Sequence, residues 1–145
     1  MAAPGPTGPG TEQANAGSIA GWNPTAAPDG SWNDAVKTNN DPCPPGYRVP
    51  SSAQWQNVIS NNARTSIGSW AWNHTNYSAG IQLGSLLFLP TAGYRDNGEG
   101  WLGQRGQFSY YWSSTGNAVL FSSNGNSEVT SRDKQFGFSI RCIAE

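Results

Sequence analysis

Apolar residues recur at a helical interval most clearly in VPSSAQWQNVISNNA, residues 49–63. Trp55, Val58 and Ile59 stand there at i, i+3 and i+4, the spacing of one helix face. Pro50 precedes Ser51 and Ser52, and either serine can cap the first turn through its hydroxyl. Elsewhere the pattern shortens. SLLFLPTAGYR (85–95), YYWSST (110–115), AVLFSS (118–123) and FGFSIRCIAE (136–145) read as short strands separated by Gly-, Asn- and Asp-rich turns. In residues 11–40 the turn signals are Pro24, Pro28 and Asp29-Gly30.

Composition narrows the class. Charged residues make up 12% of the 145 residues, about half the usual share of ~25%. Aromatics are also 12%, with seven tryptophans. Disorder needs high charge and few aromatics, so this is a loop-rich fold packed on aromatic rings. Trp22, Trp32, Tyr111, Trp112, Phe121, Phe136, Phe138 and Ile140 are the expected core. Net charge is −1 with no Lys/Arg cluster, so the basic stripe of a nucleic-acid groove is missing. The longest apolar run, LLFLP (86–90), is far too short to span a membrane. MAAPGPTGPG has neither the basic n-region nor the apolar h-region of a secretory signal.

PGPTGPG, residues 4–10, places glycine at 5 and 8. Two readings stand for residues 1–12: a flexible linker, or the last triplets of a collagen-like stalk, in which only glycine fits the axis. The stalk would make the parent a homotrimeric fibre and residues 13–145 its tip.

Cys43 lies just ahead of the helix and Cys142 in the last strand. The pair fits one disulfide closing a loop of about 100 residues, which requires an oxidising compartment. Two buried free thiols are the alternative. Two cysteines and one histidine fall short of a four-ligand zinc set.

DPCPPGYRVPSSAQW, LFLPTAGYRDNGEGWLGQRGQFSYYWSST and FGFSIRCI, in order across residues 41–143, resemble the Fibrobacter succinogenes major paralogous domain, found in Bacteroidetes surface proteins and some of their phages. Thr91 in LPTAGYR stands where an apolar or small residue is also seen. The resemblance implies an α+β, C-type-lectin-like fold: short helices, a small twisted antiparallel sheet, extensive loops, and adjacent termini stapled by Cys43 and Cys142. Similar domains occur among the variable proteins of diversity-generating retroelements, where adenine-directed mutagenesis changes codons near the C-terminus. GNAVLFSSNGNSEVTSRDKQ, residues 116–135, has the residue types of such a region and of any solvated turn.

The implied function is an extracellular receptor- or ligand-binding module on a bacterial surface or virion, the tip of a phage fibre among the options. Its partner would be a cell-surface protein or a glycan. Alternatives are a glycan-binding adhesin domain, with Trp101 or Tyr110 stacking on sugar, and a structural fibre domain without a ligand site. Loop Tyr, Trp, Asn and Ser supply rigid contact area and adaptable hydrogen bonds. With Val119 and Phe121 inward, Ala118, Leu120 and Ser122 are expected to face outward. The expected ligand patch then joins Asn117, Ser122, Asn124, Asn126, Arg132, Asp133 and Lys134 to Tyr110 and to Asp96, Asn97, Glu99 and Trp101 of the RDNGEGW turn.

Catalysis is not expected. The only histidine, His74, has no motif that pairs it with a nucleophile. Asp96 and Glu99 could be read as a glycosidase pair but belong to a Gly-rich turn. With Asn97 they offer hard oxygens to calcium, but short of a full set, and no cofactor is expected. Arg48 and Arg141, each near a cysteine, are expected to bond internally.

Overall fold

The sequence from Pro50 onward sets the first helix. In the computed structural model, which describes residues 25–98 and 100–145, Ser51 caps helix α1, Ser52–Asn61. Its hydroxyl accepts from the Gln54 N–H, and the Gln54 side chain accepts from the Ser51 N–H. This reciprocal box satisfies two N–H groups that a helix start leaves over. Trp55 is buried, and Val58 and Ile59 pack partly buried against the same cluster, as the spacing predicts. Residues 1–24, with the expected stalk or linker and Trp22, lie outside the described residues, as does Glu99.

Among the described residues, ten short strands form four small antiparallel sheets. β1 (Tyr47–Arg48) pairs with β10 (Ile143–Ala144). β2 (Arg64–Ile67), β3 (Gly80–Leu83) and β4 (Leu87–Pro90) form a meander. β5 (Tyr94–Arg95) pairs with β6 (Leu102–Gly103). β7 (Ser109–Trp112), β8 (Ala118–Ser122) and β9 (Ser127–Ser131) form the central sheet. Most of the other described residues are loop. The FGFSIRC segment, expected as a strand, makes only bridges before β10. Gly137 pairs with Arg95 and Ser139 with Tyr111. Its backbone is spent on two partners: the Trp112 N–H donates to the Ser139 carbonyl (3.0 Å), and Gly137 and Arg95 exchange bonds of 2.9 and 2.8 Å.

Cys43 and Cys142 form a disulfide, 5.8 Å between Cα atoms and 99 residues apart in sequence. The β1–β10 ladder lies beside it, extended by a bond from the Glu145 N–H to the Gly46 carbonyl (3.1 Å). Asp41 fixes the approach. Its carboxylate accepts from the N–H groups of Cys43 and Val49, both 2.9 Å, and from the Lys37 ammonium, 2.9 Å. Burial alone would raise the Asp41 pKa, but the Val49 and Cys43 amides and Lys37 outweigh it, so the carboxyl titrates below its usual value.

The central sheet is covered on both faces. Side chains alternate along a strand. Tyr111, Leu120 and Val129 join Trp55, Ile81, Leu83 and Leu89 on the helix side. Tyr110, Trp112, Val119 and Phe121 face the other way, against Trp32, Tyr94, Phe108 and Phe138. Tyr111 donates its hydroxyl to the Pro90 carbonyl (3.0 Å), and burial pushes its pKa up to about 12. The expected alternation holds, but its consequence does not. Leu120 and Ser122 are each 0% exposed, because the face opposite Val119 is covered by α1 and β2–β4 rather than by solvent or a partner.

Candidate functional site

The second face of the central sheet ends in a groove. Residues 27–34 reach it because long-range bonds hold them there. The Asp34 carboxylate accepts from the Ser114 hydroxyl (2.6 Å) and the Thr115 hydroxyl (2.7 Å). The Trp32 indole donates to the Asn40 carbonyl (2.9 Å), and the Thr38 hydroxyl to the Ser31 carbonyl (2.6 Å). Between this segment and the sheet lies an open groove of about 910 Å³, lined by Trp32, Trp112, Phe138 and Ile140, with Asp29, Ser114 and Lys134 among its polar groups. Ile140, expected in the core, is partly exposed at 37%.

The groove floor is a packed cluster of aromatic rings. Phe138 stacks on Tyr110 (4.7 Å between centroids, 16°) and on Phe136 (5.5 Å, 5°), and meets Trp112 at 4.8 Å. Tyr94 meets Tyr110, Phe136 and Phe138 edge-on. Such pairs add about 0.5–1.5 kcal/mol each beyond area burial. The Arg132 guanidinium lies over the Tyr110 ring at 5.6 Å and the Phe121 ring at 5.9 Å.

Next to the groove, a recess of about 320 Å³ is lined by Asn117, Asp133, Lys134 and Gln135, with Asp29 and Gly116. Lys134 bonds Asp29, and that hydrogen bond and charge hold the Asp29 carboxyl below its usual pKa. Asn117 and Arg132 meet through the Arg132 N–H and the Asn117 carbonyl (3.0 Å). Asn117, Arg132, Asp133 and Lys134 therefore come together as expected.

The rest of the expected patch does not join them. Asn124 and Asn126 are exposed but occupy the turn between β8 and β9. Ala118 pairs with Ser131 at one end of that hairpin and Ser122 with Ser127 at the other, about 13 Å away at ~3.3 Å per residue. The Arg64 guanidinium holds this turn, bonding the carbonyls of Ser123 and Asn124. Ser122 is buried and its hydroxyl meets that of Ser127 at 3.0 Å. Tyr110 is 7% exposed, its ring enclosed by Phe121, Phe138 and Tyr94. The expectation of one exposed patch containing Tyr110 and Ser122 is thus corrected: two hairpin ends replace one face, and both of those side chains are packed inside.

The RDNGEGW turn connects β5 and β6. Asp96 accepts from the N–H groups of Gly98 (3.1 Å) and Gly100 (3.2 Å), so its carboxylate shapes its own turn. Asn97 is partly exposed. Trp101 is 37% exposed and tilts against Tyr94 at 5.9 Å. A Cβ at Gly103 would come within 2.5 Å of the Trp101 ring, so any larger residue there would displace the indole. No cluster of three metal-ligating side chains occurs among the described residues. Arg48 bonds the Val49 carbonyl and the Gln54 side chain, both 3.1 Å, as expected. Both cysteines are consumed by the disulfide.

The groove's outer wall, Ala27 to Trp32, was not among the expected site residues. WND at 32–34 marks a polar turn with an aromatic, but its partner Ser114 is 80 residues away, beyond any local pattern. No family model, curated protein or solved structure matches the chain.

Proposed function

We propose that the chain is an extracellular binding module of C-type-lectin-like fold, with its ligand seated in the Trp32–Trp112–Phe138 groove and the adjoining Asn117–Asp133–Lys134 recess. The observation that carries this is the groove's construction. A stacked aromatic floor, held by a sheet packed on both faces, is bordered by polar side chains that can change without touching either core cluster. Binding sites commonly combine an apolar floor with a few placed polar groups. The disulfide, and the lack among the described residues of a helix long and apolar enough to cross a membrane, are compatible with an extracellular setting. The motif resemblance points to a surface protein or phage fibre of Bacteroidetes, diversified by a retroelement. The module acts by binding and not by catalysis.

Deep sequencing of this locus across a population tests the retroelement part. Substitutions should concentrate in the codons of Asn117, Asp133, Lys134 and Gln135 and spare Trp112, Phe138, Cys43 and Cys142. Variation spread evenly along the chain would count against it.

A further inference from the structure

Loop 68–79, between β2 and β3, displays two aromatic rings far from the groove residues in sequence. Trp72 is 56% exposed and Tyr77 62%. Single exposed aromatics are ordinary on protein surfaces; here the loop that carries the pair is built to hold it. The Asn73 side chain accepts from the Thr75 N–H (2.9 Å) and hydroxyl (2.8 Å). The Asn76 amide donates to the carbonyls of Ser69 (2.7 Å) and Ala71 (2.8 Å), and its oxygen accepts from the Ser78 hydroxyl (2.9 Å). The neck is closed: a Cβ at Gly68, where φ is +75°, would lie 2.0 Å from the Ser78 carbonyl oxygen.

A second segment braces the rings. The Asn73 N–H donates to the Arg105 carbonyl (3.1 Å). The Arg105 guanidinium bonds the His74 carbonyl and the Tyr77 hydroxyl (2.7 Å) and lies 4.6 Å over the Tyr77 ring. Trp72 meets His74 edge-on at 5.6 Å. Two ring nitrogens of the loop, Trp70 Nε1 and His74 Nδ1, are buried without a hydrogen-bond partner among the described residues, the second beside the Trp72 ring.

We propose that Trp72 and Tyr77 form a stacking platform for a pyranose-containing oligosaccharide. The chemistry decides the class. A protein interface needs about 800 Å² per partner and an apolar centre. Residues 72–78 are Trp, Asn, His, Thr, Asn, Tyr and Ser, two flat apolar faces set in polar surroundings. A sugar ring matches this: its C–H face lies on an aromatic face while its hydroxyls meet the polar edge that the exposed Asn73 and Thr75 present beside the rings. Rings already fixed by the loop lose little freedom on binding.

A printed glycan array followed by titration calorimetry with the strongest oligosaccharide tests the platform. Trp72→Ala and Tyr77→Ala should each weaken binding about tenfold or more while leaving Tm unchanged, since both rings are largely exposed. Lys134→Ala, in the separate groove, should leave this binding intact. Should either alanine variant fail to fold, saturation-transfer NMR on the unaltered domain should show contact between the sugar C–H protons and the Trp72 ring. An array without binding, or binding unchanged in both folded alanine variants, overturns the proposal. So does Trp72-dependent attachment to cells that protease abolishes and periodate leaves intact, which would make the occupant a protein.

Discussion

Replacing both Cys43 and Cys142 by alanine opens the covalent loop that the disulfide closes. The crosslink spans 99 residues, and the chain-entropy relation assigns a loop of that length about 4.7 kcal/mol at room temperature. The neighbouring β1–β10 ladder, two residue pairs long, and the Asp41 hydrogen bonds hold the same junction. They act only in the folded state, so they do not replace the constraint on the unfolded chain. Against a total stability of about 5–15 kcal/mol, the loss is a third or more. At roughly 3–5 °C per kcal/mol for a domain of this size, Tm should fall by about 15–25 °C. Far-UV circular dichroism melts of the double variant, and of the unaltered domain with and without reductant, measure it. A double variant melting within about 5 °C of the parent would refute the reasoning, because termini already associated in the unfolded chain would leave the crosslink nothing to restrict.

Asp41→Asn should cost about 1–3 kcal/mol in urea unfolding, since two buried N–H groups and Lys37 lose a charged acceptor. Because the folded pKa of Asp41 is depressed, its contribution is present above the unfolded value near 4 and lost as pH falls through the folded value; the parent's stability should therefore drop faster in acid than the variant's. Tyr111 has the opposite sign. Its folded pKa of about 12 lies above the ordinary ~10, so its contribution is complete below pH ~10 and lost as pH rises through about 12. Spectrophotometric titration should show a late-ionising tyrosine that Tyr111→Phe removes. Phe138→Ala, which strips a ring stacked on Tyr110, Phe136 and Trp112, should cost about 3–5 kcal/mol, whereas Asn124→Ala with Asn126→Ala should stay within about 0.5 kcal/mol per site.

The helix was legible because local signals agreed: a proline, a capping serine and Trp55, Val58 and Ile59 on one face. The disulfide was legible because two cysteines leave one pairing. Strands β2, β3 and β9 were not. RTSI and SEVTS are largely polar and pair through partners distant in sequence. The direction of each side chain in β8 followed from alternation, but whether the far side meets water depends on what packs there. AVLFS is nearly continuous in apolar residues, and a strand covered on both faces reads that way; the expectation that Leu120 faces outward passed over that signal. Asn117, Asp133 and Lys134 were named correctly as neighbours, since one hairpin end gathers them. The groove wall was missed because the Asp34–Ser114 contact exists only once the chain has folded.

Cell binding by a fluorescently labelled, tetramerised domain on a panel of Bacteroidetes strains tests the groove most directly. Two variants are compared with the parent at matched folded fraction: Asn117→Ala with Asp133→Ala and Lys134→Ala, and Asn124→Ala with Asn126→Ala. The first should lose tenfold or more in apparent affinity with Tm nearly unchanged, and the second should bind like the parent. Undiminished binding by the first variant, or loss confined to the second, would contradict the groove as the binding site.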